Sequence, residues 1–153
     1  MTGRRHRARE AAFQALYQSE HGQDSAAGAL DGVLAGRRAG PELAAYARSL
    51  VEVWTLHAAS IDASIGSVLQ HWDLDRLAAV DRAILRSAAG ELLYRPDVPA
   101  EVVIDEAVEI AKKYSTEQSG AFVNGVLDRL WKTIEKDAGA GRPAPAGREP
   151  GKE

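Results

Sequence analysis

Residues 80–130 read VDRAILRSAAGELLYRPDVPAEVVIDEAVEIAKKYSTEQSGAFVNGVLDRL, and this stretch decides the fold class. Two breaks divide it into three helical segments. The first begins near Leu74 and ends at Arg95, because the residue before a proline is pushed out of the helical region. Pro99 suits the first turn of the second segment, and the hydroxyls of residues 115–116 offer a cap for the third. Apolar residues recur at helical spacing in each segment: Leu77, Val80, Ile84, Ala88 and Leu92; then Val103, Ala107, Ala111 and Tyr114; then Val123, Val126, Leu127, Leu130 and Ile134.

The N-terminal half of the chain carries the same helical periodicity. We predict a first helix over about Arg4–Glu20 and a short second helix over about Ser25–Leu34. A long third helix is predicted to open at Pro41 and to bend near Gly66. Asp73 is then predicted to cap the helix that begins near residue 74.

These patterns predict an all-α protein. Neither an alternating strand pattern nor a repeat of solenoid length is present, so six or seven helices should form a single compact domain over residues 1–136. Residues 137–153 combine glycine, alanine, proline and charge without an apolar period. We therefore predict a disordered C-terminal tail over that segment.

Composition excludes several kinds of function. The 153 residues contain no cysteine, which rules out disulfides, zinc–thiolate sites and a thiol nucleophile. The four histidines show no metal-binding spacing, and no glycine-rich phosphate loop is present. We therefore predict a protein that is not an enzyme, with no catalytic residue, metal site or cofactor. No apolar run approaches the roughly 20 residues that span a bilayer, so we expect a cytoplasmic protein without a membrane partner.

Positive charge is concentrated at the start of the chain. Arg4, Arg5, Arg7 and Arg9 precede the first acidic residue; they contribute +4 to a net charge of −3, so the remainder carries about −7. Cations are disfavoured at a helix N-terminus by the helix dipole. An ordinary solvated helix start is one interpretation. The pattern favours the other, in which these arginines bind an anionic partner.

Several segments resemble the family of the transcription antitermination factor NusB. They are RRHRAREAAFQALYQ at 4–18, AILR at 83–86, DVP at 97–99, EAVEIAK at 106–112 and FVNGVLD at 122–128. The resemblance covers nearly everything from residue 4 to residue 131. It implies a fold of two packed helical bundles and an arginine-rich N-terminal segment that binds RNA.

Single-stranded RNA is held by guanidinium groups on phosphates and by aromatic faces on bases. The family resemblance places Phe122 at the RNA-binding surface, whereas its helical position alone favours packing between helices. Tyr17 and Trp72 are further aromatic candidates. Many family members carry an acidic residue at the position of Gln118. The predicted RNA-binding residues are Arg4, Arg5, Arg7, Arg9, Gln118, Ser119 and Phe122, of which Gln118 and Ser119 sit at a helix start whose N–H groups suit phosphate.

A second predicted surface is a protein interface. NusB factors pair with NusE, a ribosomal protein, and the resemblance places Tyr17, Asp81 and Arg82 on that face. Asp81 lies inside an apolar stripe, where an unpaired carboxylate is costly. It is therefore either an interface residue or the structural partner of an arginine such as Arg9 or Arg5.

The resemblance implies a non-enzymatic factor that joins NusE on boxA-type single-stranded RNA of ribosomal RNA leader transcripts. The assembly would include the RNA polymerase elongation complex with other Nus factors, and would help the polymerase resist termination. One alternative is a helical RNA-binding or adaptor module related to the N-terminal domain of ribosomal RNA cytosine methyltransferases, acting without catalysis. The chain ends about 20 residues after the matching region, which we take to leave no room for a catalytic domain. A pure protein–protein adaptor is the other alternative.

Overall fold

The computed structural model describes residues 3–70 and 73–139 of the chain. Within these ranges it contains six α-helices, one short 3-10 helix and no β-strand. His71 and Trp72 lie outside the described residues, so the proposed aromatic role of Trp72 stays a prediction. The helices are α1 (Arg4–His21), α2 (Ala26–Gly36), α3 (Pro41–Val68), the 3-10 helix Leu74–Arg76, α4 (Ala79–Tyr94), α5 (Ala100–Tyr114) and α6 (Glu117–Gly139).

The helices form two three-helix bundles. Each of α1, α2 and α3 packs against the other two, and so does each of α4, α5 and α6. The bundles join where α4 packs against α1 and α3. The predicted all-α class is confirmed. Helix α6 continues to Gly139, three residues beyond the predicted end of the domain, and residues 140–153 of the predicted tail lie outside the described part of the chain.

Most residues of the apolar stripes predicted for the C-terminal half are buried. In α6 the side chains of Val123, Val126 and Leu127 are fully buried, and in α5 Ala111 is as well. Thr116 caps α6, since its hydroxyl accepts the backbone N–H of the residue three positions later at 3.0 Å. The stripe of α6 and its cap are therefore confirmed, whereas the first stripe holds only from Ile84 onward, since Leu77 and Val80 are half-buried.

The start of α4 differs from the prediction. The α-helix begins at Ala79, and the residues from Leu74 form the 3-10 helix followed by two extended residues. Asp73 makes no side-chain cap. Arg82 of α4 explains the irregular start, because its Nη1 donates to the carbonyl oxygens of Leu74, Asp75 and Leu77 at 3.2, 3.3 and 2.8 Å. These carbonyls gain a charged donor, which at Leu74 adds to the 3-10 hydrogen bond from the N–H of Leu77.

The long helix α3 is kinked at His57 rather than at Gly66. His57 has φ −129° and ψ 24°, outside the helical region. Its ring stacks on Tyr94 of α4 with centroids 3.9 Å apart and planes 6° apart. The kink therefore lies where α3 contacts the end of α4. Among the described helices, none is long and apolar enough to cross a membrane.

Candidate nucleic-acid interface

The four N-terminal arginines do not share one environment. Arg4, Arg5 and Arg7 are exposed on the first two turns of α1, whereas Arg9 is only 6% exposed. Arg9 lies on the side of α1 that faces the second bundle. Its partners come from α4 and α5 of that bundle and from α3 of its own. The set predicted to bind RNA thus divides into three surface residues and one buried residue.

Arg9 is held by a buried carboxylate. Its Nε and Nη2 donate to Glu91 of α4 at 2.9 and 2.7 Å, and its Nη1 donates to Glu106 of α5 at 3.2 Å. The hydroxyl of Tyr46 also donates to Glu91. Burial by itself opposes the charged form, but the hydrogen bonds and charge of Glu91 outweigh it and raise the pKa of Arg9.

This arrangement corrects two expectations from the sequence. The guanidinium of Arg9 is occupied inside the protein, so Arg9 is not presented to an external phosphate with the other three arginines. Its carboxylate partners are Glu91 and Glu106, and not Asp81. Burial and the neighbouring Glu91 charge also raise the pKa of Tyr46 to about 12, so its hydroxyl stays protonated as a donor.

Glu10 ties α1 to α2 and α5. Its carboxylate is 3% exposed and accepts from Arg37 Nη1 at 3.1 Å and from Lys113 Nζ at 2.9 Å. Burial would raise the pKa of Glu10, but the hydrogen bonds from Lys113 and Arg37 prevail and lower it. His6 adds a further contact, with Nδ1 2.9 Å from Glu106. The start of α1 is therefore fixed on the protein body by paired charges.

The other predicted RNA-binding residues lie at the start of α6. Gln118 is exposed, and Phe122 is half-buried against the core. Ser119 is 8% exposed, and its hydroxyl lies 2.8 Å from that of Ser115 and donates to Asp81 at 3.2 Å. Its backbone N–H is taken by the Thr116 cap. The N–H of Ser119 is therefore not available to phosphate, contrary to the prediction, and of the three residues only Gln118 and Phe122 reach the surface.

The predicted protein interface contains residues of different exposure. Tyr17 is 37% exposed, with its ring 4.8 Å from that of His21. Arg82 is 8% exposed and forms an ion pair with Glu20 of α1, so its positive charge is largely used within the fold. Asp81 is 9% exposed; its Oδ1 is buried and has no hydrogen-bond partner among the described residues.

The two predicted surfaces are related through α1. Arg9 pairs with Glu91 near the end of α4, and Glu20 pairs with Arg82 near its beginning, so α1 and α4 are antiparallel. The 18 residues of α1 span about 27 Å. The exposed arginines and the Asp81 region consequently lie at opposite ends of α1, and the predicted RNA-binding residues are not one cluster.

Two lysines of α5 lie between the exposed arginines of α1 and the predicted RNA-binding residues at the start of α6. Lys113 of α5 pairs with Glu10, one turn along α1 from Arg7, and the pair raises the pKa of Lys113. Lys112 packs beside Gly120 of α6, where an added Cβ would come 2.8 Å from Lys112 Cγ. Our sequence reasoning missed these lysines. Their signal was the basic last turn of α5 immediately before the start of α6.

This geometry defines an all-helical, two-bundle protein whose first helix presents arginines at one end and lies near the buried, partly unsatisfied carboxylate of Asp81 at the other. The chain belongs to the NusB family, whose sequence profile matches residues 6–132. It is 44% identical over 134 residues to the transcription antitermination protein NusB of Pseudothermotoga lettingae, covering 86% of this chain and 93% of that one. The same-named protein of Anaeromyxobacter dehalogenans is 48% identical over 135 residues, covering 85% of this chain and 92% of that one.

Solved structures show the same architecture. A structure of T. maritima NusB has a TM-score of 0.79 and 42% identity, and covers 86% of this chain and 93% of that one. A crystal structure of the antitermination factors NusB and NusE in complex with dsRNA contains a chain with a TM-score of 0.80 and 30% identity; the match covers 87% of this chain and 99% of that one.

Proposed function

We propose that this protein is a non-enzymatic, RNA-binding transcription antitermination factor. It pairs with NusE on single-stranded boxA-type RNA in ribosomal RNA leader transcripts. Together with other Nus factors, the pair joins the RNA polymerase elongation complex in the cytoplasm and helps it resist termination. Membership of the NusB family and the likeness to a NusB chain solved with NusE and RNA support the proposal.

The observation that carries the RNA-binding part of the proposal is a row of positively charged side chains that crosses three helices. Arg7 is exposed on α1, Lys113 reaches α1 from α5, and Lys112 packs against the first turns of α6. Gln118 and Phe122 follow at that end of α6. Cations for phosphates next to an aromatic side chain and an amide are the combination that single-stranded RNA requires.

The NusE surface is proposed at the other end of α1. Tyr17 offers a ring and a hydroxyl on the surface, a combination common in protein interfaces. Asp81 has one buried oxygen without a partner among the described residues, which a donor from NusE would satisfy if the side chains that cover it shift on binding. Arg82 supports this region by holding Glu20 and the residues before α4, so we assign it a positioning role.

Fluorescence anisotropy of a labelled boxA-type RNA tests the proposal, with and without NusE and over a range of salt concentrations. We expect binding that tightens with NusE and weakens with salt. If Arg4, Arg5, Arg7 and Lys113 neutralise about four phosphates, log K should fall against log salt with a slope near −3. Alanine at the three exposed arginines should reduce that slope by about 2. Unchanged RNA affinity in this folded variant would contradict the RNA-binding assignment of α1.

A further inference from the structure

A groove of about 520 Å³ opens beside the first turn of α1, on the side away from the lysines of α5. Helix α3 forms its floor, and the segment after α4 forms one wall. None of its residues outside α1 was predicted from the sequence to bind a partner. The lining residues are Arg4, Arg5, Glu42, Ala45, Tyr46, Ser49 and Arg95.

Tyr46 organises the cations of this groove. The guanidinium carbon of Arg5 lies over its ring at 4.5 Å from the centroid, and that of Arg95 lies at 5.0 Å. The Tyr46 hydroxyl is taken by Glu91 inside the protein. Because guanidinium groups already cover the ring, it is not free to stack on a base. The groove can therefore recognise negative charge, but it is poorly suited to reading a base.

The charges of the groove are only partly compensated. Arg4 forms an ion pair with Glu42, and Arg95 donates to Asp97 at 3.3 Å and to Ser49 at 2.8 Å. Among the described residues, Arg5 forms no ion pair. Three arginines therefore face two carboxylates, and one of these, Asp97, is 59% exposed at its side chain. An anion that enters would meet a net positive site with a hydroxyl beside it.

We propose that this groove binds the phosphate backbone of RNA that continues beyond the boxA-type element. The inference rests on the proposed function and extends it by a second subsite, in which Arg95 is the added phosphate-binding group and Arg5 marks the junction with the boxA-type element. RNA is the occupant because Arg4 and Arg5 belong both to the groove and to the arginine-bearing turn of α1. Binding there is independent of base sequence, since contacts to phosphate carry no sequence information.

The test compares RNAs of different length on the intact protein. A minimal boxA-type RNA is extended by about six uridines at its 5′ or its 3′ end, a length within the usual range for single-strand sites. A matched extension carries neutral methylphosphonate linkages. With wild-type protein, the charged extension at one end should tighten binding about threefold to tenfold and steepen the salt slope by about 0.7, as one added phosphate contact at Arg95 requires. The neutral extension should give no gain.

Two variants locate the effect. Arg95→Gln should lose most of the gain from the extension while binding the minimal RNA as the wild type does. The control is Arg48→Gln. Arg48 is an exposed arginine of α3, the helix that forms the floor of the groove, but it pairs with Asp31 outside the groove. Asp97→Asn removes a competing carboxylate and should increase the gain.

Each remaining outcome counts against the proposal. Equal affinity for minimal and charged extended RNA overturns the subsite while leaving the proposed function intact. A gain that survives in Arg95→Gln, or that the neutral extension reproduces, places the added contacts elsewhere. If the minimal RNA fails to bind wild-type protein with or without NusE, the proposed function fails, and this inference fails with it.

Discussion

Arg9 shows how a single residue can differ in role from neighbours of the same type. Arg7 and Arg9 are two positions apart on α1, which turns them about 200° around the helix axis. Arg7 therefore reaches solvent, while Arg9 enters the contact between bundles and meets Glu91. A buried guanidinium requires such a carboxylate, because an unpaired charge in the interior is strongly unfavourable.

Substitution of Arg9 should separate stability from RNA binding. Arg9→Ala leaves Glu91 buried without its cation and should lower the free energy of unfolding by about 3–5 kcal/mol. Arg7→Ala, its exposed control, should change it by less than about 0.5 kcal/mol and should instead weaken RNA binding. Urea denaturation followed by circular dichroism measures the first effect, and anisotropy the second. A stable Arg9→Ala protein that no longer binds RNA would return Arg9 to the RNA-binding set.

The buried Glu10 should make stability depend on pH. Its pKa is lower in the folded protein than the ordinary value of 4.5, so its contribution is complete above that value and is lost as pH falls through the folded pKa. Glu10→Gln should cost about 1–2 kcal/mol at neutral pH. It should also flatten the fall in stability as pH drops below the ordinary value of 4.5.

Urea unfolding at successive pH values measures this dependence. Asp97→Asn is the matched control, because the pKa of Asp97 is also lowered, by Arg95, but in an exposed pair that solvent screens. Its effect on the acid slope should be the smaller one. An unchanged acid slope in Glu10→Gln would show that the ion pairs of Glu10 do not stabilise the fold.

At the scale of elements, α5 and α6 approach closely at Gly120. A Cβ at this position would lie 2.8 Å from Lys112 Cγ, closer than packed carbon atoms come. Glycine in a helix is otherwise less favourable than alanine by about 1 kcal/mol. The close approach of α5 therefore explains the glycine at this position, and the backbone conformation of α6 does not.

A double-mutant cycle tests this explanation. Gly120→Ala should destabilise the wild-type protein by about 1 kcal/mol, because overpacking outweighs the gain in helix propensity. In a Lys112→Ala background the same change should stabilise by up to about 1 kcal/mol, since the crowding atoms are gone. Thermal and urea unfolding give both values. Identical effects in the two backgrounds would show that Lys112 does not restrict this position.

At the scale of the whole molecule, the exposed arginines and the proposed NusE surface lie toward opposite ends of α1. Gln118 and Phe122 instead lie near the NusE surface, because Ser119 between them contacts Asp81. If NusE strengthens RNA binding, RNA must strengthen NusE binding by the same factor, because linked binding free energies are reciprocal. Helix α1 contacts α2, α3, α4 and α5, so both surfaces are built on one packed body.

Tyr17→Ala should weaken NusE binding and thereby reduce the effect of NusE on RNA affinity. RNA binding measured without NusE should be unchanged. Asp81→Asn should do the same if its unpartnered oxygen accepts a donor from NusE. Isothermal titration with each partner, alone and with the other present, measures both factors. Lys132→Ala, an exposed site on α6, is the control. A lower melting temperature with unchanged NusE affinity would make Asp81 purely structural.

The sequence by itself determined the helices, their breaks and the family. Apolar spacing, Pro96 and the hydroxyls before α6 act within a few residues of one another, so they can be read along the chain. The irregular start of α4 escaped this reasoning, because it depends on the Arg82 side chain bonding carbonyl groups five to eight positions earlier, a contact that apolar spacing and capping residues do not indicate.

Only the tertiary structure decided which charged residues are paired inside the fold and which are exposed at the surface. Arg9 and Glu91 are 82 positions apart, and Ser119 and Asp81 are 38 apart. Helical periodicity places a side chain on one side of its own helix, but it does not show which carboxylate another helix brings there. The groove at Tyr46 has the same origin, because Arg5 and Arg95 meet only where α1, α3 and the end of α4 converge.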